Sequence, residues 1–143
     1  MARVATETAK QKVADIMTRK VTTLDRNDSL EVANDLMGLA RIRHLPVVED
    51  GRVLGVVSER DVLRSALASA LGYGEKARKT LLRSVLVKEV MSEPAVTIAP
   101  SADLDEAIHT MLDRKIGCLP VVADGVLVGL LSESDVLASV LRA

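Results

Sequence analysis

The chain has 143 residues, with 19 Lys plus Arg against 20 Asp plus Glu, and it contains no Phe, no Trp and one Tyr. That length suits one compact domain or two small halves sharing a core, while a formal charge of −1 and the lone aromatic Tyr73 argue against a nucleic-acid binder, which needs phosphate-neutralising cations or stacking platforms. The apolar runs around Gly129 fall far short of the ~20 residues that span a bilayer. The Met1-Ala2-Arg3 start has no secretory apolar stretch, and the single cysteine, Cys118, excludes an intrachain disulfide; a cytoplasmic location, reducing and away from membranes, is the expectation.

Taken in order, residues 1–12 lack a periodic pattern and read as a loose arm or a helix that docks only in an assembly. From Val13 onward the chain is a tandem duplication, because a shift of 74 positions lays Val13 to Leu67 on Val87 to Leu141 without a gap, and 21 of the 55 pairs are identical. A repeat of this strength governs the reading of everything inside it. Each copy opens on a short β segment rich in Val, Ile and Thr, at Lys20 to Leu24 and at Ala95 to Ile98. Polar starts follow, Asn27-Asp28-Ser29 and Pro100-Ser101-Ala102-Asp103, offering side-chain oxygens to free helix amides. The next helix carries Leu30, Ala33, Leu36, Met37 and Ala40 on one face, and its twin Leu104, Ala107, Ile108, Met111 and Lys115. Two apolar strands then flank Asp50-Gly51, or Asp124-Gly125, the strongest short-range hairpin signal. A second helix starts after Ser58 or Ser132. Residues 68–86 form the connection, with a break at Gly72-Tyr73-Gly74 and a helix over Glu75 to Val85. Lys76, Arg78, Lys79 and Arg83 on that helix are a solvated face or a patch for an acidic partner. The expected fold is α/β (α+β): β-α-β-β-α repeats at 13–67 and 87–143, packed around a pseudo-twofold axis with a cleft at each meeting of the copies.

The segment with most chemical content is Gly55-Val56-Val57-Ser58-Glu59-Arg60-Asp61, echoed as Gly129-Leu130-Leu131-Ser132-Glu133-Ser134-Asp135. The first amides of a helix lack internal partners and face outward with the positive end of the dipole, so this strand-serine-helix junction suits an anion. Asp61 or Asp135 would repel phosphate but can accept from a ribose diol. Ser-x-x-Asp is equally a capping box, in which the acid returns to the serine amide. A glycine on the preceding strand leaves room for close approach, which favours a ligand. Arg41, Arg43 and His44 before Leu45-Pro46 form a cationic rim or a solvated strand start; the second copy has Gly117-Cys118 there, and Ser134 replaces Arg60, so the two clefts differ in charge. Cys118 reads as a buried inert thiol, His109 as exposed, and the paired Met17, Met37, Met91 and Met111 as core filler. Two histidines, no metal-ligand spacing, no Ser-His-Asp order and no Walker-type loop leave no catalytic residue and no metal ligand to name.

At these residues the chain resembles the cystathionine β-synthase (CBS) domain family in its tandem-pair form, the Bateman module. The resemblance rests on the Asp15-Ile16-Met17 and Glu89-Val90-Met91 openings, the Leu-Pro-Val-Val strands, the Asp-Gly hairpins and the two Gly-x-x-Ser-x-x-Asp segments, in the same order twice. It implies a non-catalytic regulatory module that binds AMP, ADP, ATP, S-adenosylmethionine or NAD between the repeats. Ser58 and Ser132 would face phosphate or ribose, and Asp61 and Asp135 the ribose hydroxyls. Thr18, Val21 and Thr22, with Ser92, Ala95 and Val96, would line the adenine beside Pro46 and Pro120. Arg43, His44 and Arg60 would neutralise phosphate. The resemblance further implies a homodimer, a flat disc of four repeats, acting on a separate regulated protein. A ligand-independent interaction or oligomerisation module is the alternative.

Overall fold

The computed structural model describes residues 11–70 and 74–142. Residues 1–10 of the expected arm, and Gly72 and Tyr73 of the expected break, lie outside them. The described chain divides into two compact units, and each is built from both copies: one is Thr22–Ala95, the other joins residues 11–21 to 96–142. The elements are α1 (Val13–Ile16), α2 (Leu30–Ala40), β1 (His44–Glu49), β2 (Arg52–Ser58), α3 (Glu59–Ala70), α4 (Gly74–Ser84), α5 (Val87–Val90), α6 (Leu104–Arg114), β3 (Cys118–Ala123), β4 (Val126–Ser132) and α7 (Glu133–Arg142).

In the Thr22–Ala95 unit, β1 and β2 pair as an antiparallel hairpin. Its turn holds Asp50 at φ 52° and Gly51 at φ 80°, the two positive values that a tight primed turn demands. The preceding β segment of the first copy is less than a strand: Leu24 alone joins the sheet, donating to the Pro46 carbonyl at 2.9 Å and accepting from the Val48 amide at 2.9 Å in a single parallel bridge. Ser29 caps α2 through the Val32 amide, and the helix buries Leu30, Ala33 and Met37 before Arg41 ends it in the left-handed conformation. Helix α4 covers part of the same core with Leu82, 5% exposed, and backbone bonds from Leu30 to Val85 and from Val87 to Asp28 stitch its end to the start of α2. The core is aliphatic throughout: Leu24, Leu30, Met37, Leu45, Val47, Val57, Val62, Leu82 and Val87.

The unit of residues 11–21 and 96–142 repeats this plan. Strands β3 and β4 form the hairpin, its turn at Asp124 and Gly125. The expected strand at Ala95 to Ile98 again reduces to one parallel bridge, Ile98 to Val121. Helix α6 buries Leu104, Ala107 and Met111, whereas Lys115 is its exposed left-handed cap and no part of the apolar face. Asp103 stands at the N-cap position, but its carboxylate takes Lys12 Nζ instead of a helix amide. Val13 and Met17, from the first copy's opening, complete a core of Ile98, Leu104, Met111, Leu119, Val121 and Leu131 from the second.

Candidate functional site

Each unit brings the opening of one copy across the second hairpin strand of the other. Thr18 pairs with Leu130 through two backbone hydrogen bonds, 2.9 and 2.8 Å, and Ser92 pairs with Val56 through 2.9 and 3.1 Å. The signature glycines make this possible. A Cβ on Gly55 would lie 2.6 Å from the Ser92 carbonyl oxygen, and one on Gly129 would lie 2.6 Å from Met17 Sδ and 3.0 Å from the Thr18 oxygen. The room expected for a ligand beside these glycines is therefore taken by the other copy's chain. The acids of the openings, Asp15 and Glu89, accept from the Lys12 and Leu86 amides and pin the one-turn helices that lead into the crossing.

Where β2 runs into α3 and β4 into α7, both Ser-x-x-Asp segments are capping boxes. The Ser58 amide donates to Asp61 Oδ2 at 2.9 Å and the Asp61 amide to Ser58 Oγ at 3.1 Å. The Ser132 amide donates to Asp135 Oδ2 at 2.9 Å and the Asp135 amide to Ser132 Oγ at 3.2 Å. The first helical amides are engaged as well, Glu59 with the Arg43 carbonyl at 2.8 Å and Glu133 with that of Gly117 at 3.0 Å. The anion site expected from free helix amides is correspondingly smaller than the sequence suggests. Each cap uses one carboxylate oxygen, Oδ2, and leaves Oδ1 outside the cap.

The surroundings of the two carboxylates differ. Thr18 Oγ1 donates to Asp135 Oδ1 at 3.0 Å, and the Ser132 hydroxyl also donates to Asp135 Oδ2 at 3.0 Å. At Asp61 the equivalent Ser92 side chain makes no such bond, and among the described residues Oδ1 accepts nothing. Exposed Arg60 precedes Asp61 on the chain, the carbonyl of exposed Arg43 holds the Glu59 amide at the start of the same helix, half-buried His44 faces Ser58 across the hairpin, and neither arginine is in an ion pair among the described residues. Pro46 and Pro120 are buried, and their carbonyls hold Leu24 and Ile98. Val21, Thr22, Ala95 and Val96 are half-buried, Val21 and Val96 in the unit that holds Asp135 and Thr22 and Ala95 in the unit that holds Asp61. Cys118 is 5% exposed, and burial, then the Glu133 carboxylate, push its thiol up to about 12. No group of His, Cys, Asp and Glu among the described residues could hold a metal, and no described helix is long and apolar enough to cross a membrane. Unforeseen from sequence are the Thr18–Asp135 bond and an apolar groove of about 220 Å3 between α6 and α7, lined by Ile108, Met111, Leu112, Ile116, Val136 and Leu137 with Glu133 at its rim.

Among solved structures, the chain is similar to a Vibrio cholerae protein named for acetoin utilization (AcuB), 38% identical with a TM-score of 0.77 over 92% of this chain and 91% of that one. It is similar to CBSX2, solved in complex with AMP, at 27% identity and a TM-score of 0.77, covering 92% and 97% of the two chains. It is also 32% identical to the inosine-5'-monophosphate dehydrogenase of Thermoplasma acidophilum, across 85% of this chain and 22% of the enzyme. The chain spans less than half the length of the first curated relatives it matches. The CBS domain profile matches twice, at residues 13–68 and 87–142, once on each hairpin-bearing copy. The chain belongs to the CBS domain family, as a tandem pair.

Proposed function

We propose that this CBS pair is a non-catalytic sensor of adenosine-containing ligands, working in the cytoplasm and passing its signal to a separate protein. The observation that carries the reading is the place of the two carboxylates. Each stands at a helix start where the other copy's opening crosses, as Thr18 does beside Asp135, so a ligand on that carboxylate touches both copies at once. Asp61 and Asp135 would take ribose hydroxyls, Ser58 and Ser132 the neighbouring ribose or phosphate oxygens. Thr18, Val21, Val96 and Pro120 would serve one adenine and Thr22, Ser92, Ala95 and Pro46 the other. Arg43, His44 and Arg60 would meet phosphate. Binding that favours one arrangement of the crossing over another shifts a population, and a partner reads the shift. The AMP complex of the 27% identical CBSX2 supports an adenylate as ligand.

The test is thermal unfolding with AMP, ADP, ATP, S-adenosylmethionine and NAD at millimolar concentration. At least one raises Tm, and Asp61→Ala with Asp135→Ala abolishes the rise. Both substitutions also lower the ligand-free stability, by about 0.5–2 kcal/mol each, because the capping boxes go with them. No rise with any of the five leaves the alternative, a ligand-independent interaction module, for which the capping boxes speak.

We further propose a homodimer. Leu63 and Leu67 on α3 are 51% and 59% exposed, and their equivalents Leu137 and Leu141 on α7 are 66% and 87% exposed. These side chains, one turn apart, give each unit an exposed apolar strip on its own helix, which a second copy would cover. Light scattering should give twice the chain mass, and Leu63→Asp with Leu137→Asp should give the single mass.

A further inference from the structure

The two carboxylates are not equally available, and the difference lies in two hydroxyls, one from the local Ser132 and one, Thr18, from the other copy. A carboxylate offers about four acceptor positions. Asp135 has three filled, by the Ser132 amide, the Ser132 hydroxyl and the Thr18 hydroxyl; Asp61 has one filled, by the Ser58 amide. A ribose diol brings two donors. Asp61 can receive both without giving up a bond, whereas Asp135 must first release a partner. The Ser132 amide bond belongs to the helix cap, and the cap's return bond from the Asp135 amide holds the Ser132 hydroxyl beside the carboxylate; Thr18 is the partner that lies outside the cap and comes from the other copy.

Backbone placement does not explain the difference, because Thr18 and its equivalent Ser92 are pinned by the same pair of strand bonds. The side chains do. Threonine is branched at Cβ and restricted about χ1, so its hydroxyl is held toward the carboxylate; serine lacks that restriction. We propose that Thr18 is a latch on Asp135 that makes the two adenosyl sites unequal, so that the Asp61 site fills first. This rests on the adenosyl-binding reading above and adds to it the residue that sets the order of filling. The charge at the two helix starts acts in the same direction: Arg43, whose carbonyl holds the Glu59 amide, and Arg60 stand at the start of the helix that carries Asp61, and Gly117 and Ser134 take their places at the start of the helix that carries Asp135.

Calorimetric titration with AMP tests the latch on the full chain. The wild type should show a tight site, lost in Asp61→Asn, and a second site that is weak or silent. Thr18→Val keeps the branched shape and removes the hydroxyl; it should tighten the weak site about tenfold, the lower end of what a hydrogen bond to a charged acceptor is worth. Ser92→Thr should install the latch on Asp61 and weaken the tight site by a similar factor. An unchanged or weaker second site in Thr18→Val, or two equal sites in the wild type, overturns the latch and leaves adenosyl binding standing. Absence of AMP binding in the wild type, with adenosine and S-adenosylmethionine equally inert, removes the adenosyl reading and the latch together.

Discussion

Cys118 stands where copy one has His44, at the start of β3, and its burial decides its chemistry. The thiol is pushed from an ordinary value of 9.0 up to about 12, first by loss of water and then by the Glu133 carboxylate. A folded pKa above the unfolded one means that between about pH 9.0 and 12 the unfolded chain releases the proton while the folded chain holds it. The folded state then binds more protons, so this group's contribution to stability falls as pH rises through that window. Urea unfolding at pH 8 and pH 10 checks it: the wild type should lose more stability across the interval than Cys118→Ala does. A thiolate is the reactive form, so a thiol reagent at pH 7.5 should label the native protein only as fast as it opens. The inert reading of Cys118 was available from its apolar neighbours. Gly55 and Gly129 were harder, because a missing side chain says that something comes close without saying what, and here it is the opposite copy's backbone.

At the scale of elements, what the chain reveals depends on whether the signal is local. The hairpins were legible because Asp-Gly between β-branched runs dictates positive φ at both residues whatever surrounds them. The faces of α2 and α6 followed from three- and four-residue spacing. The opening β segments were over-read: Val and Thr favour extended chain, but only Leu24 and Ile98 find a partner edge, a tertiary fact. Helix α4 is the clearest case of a face only half described by charge. Its Arg83 reaches Glu31 at 2.7 Å in an exposed ion pair, a contact worth little. Leu82, on the same helix, lies in the core with Leu30, Val62 and Val87. Leu82→Ala should therefore cost about 2–5 kcal/mol in denaturant unfolding, while Lys76→Ala and Lys79→Ala stay within about 0.5 kcal/mol. An inexpensive Leu82→Ala would make α4 an outrider on the unit instead of part of it.

For the whole molecule, the duplication was plain in the chain but the exchange of openings was not, because periodicity tells a residue which way to face and not which copy to face. Val13 and Met17 carry the same pattern as Val87 and Met91, and either could have packed against its own hairpin. Instead Val13 and Met17 lie with Leu104, Leu119 and Leu131, and Val87 lies with Leu45, Val57 and Val62. This arrangement makes neither copy self-sufficient. A fragment of residues 1–72 keeps the hairpin of the Thr22–Ala95 unit but loses Leu82 and Val87 from its core. A fragment of residues 73–143 keeps the other hairpin but loses Val13 and Met17. Each fragment is also near the size at which a core barely outweighs chain entropy. Circular dichroism of either fragment alone should show no cooperative thermal transition. An equimolar mixture should regain helix signal, a cooperative transition and the mass of the reassembled chain, because each fragment supplies the opening that the other one's core lacks. Cooperative folding of residues 1–72 alone would mean that a copy can close on its own opening, and the cross-copy placement of Thr18 and Ser92 would then be one choice between two packings instead of a requirement of the fold.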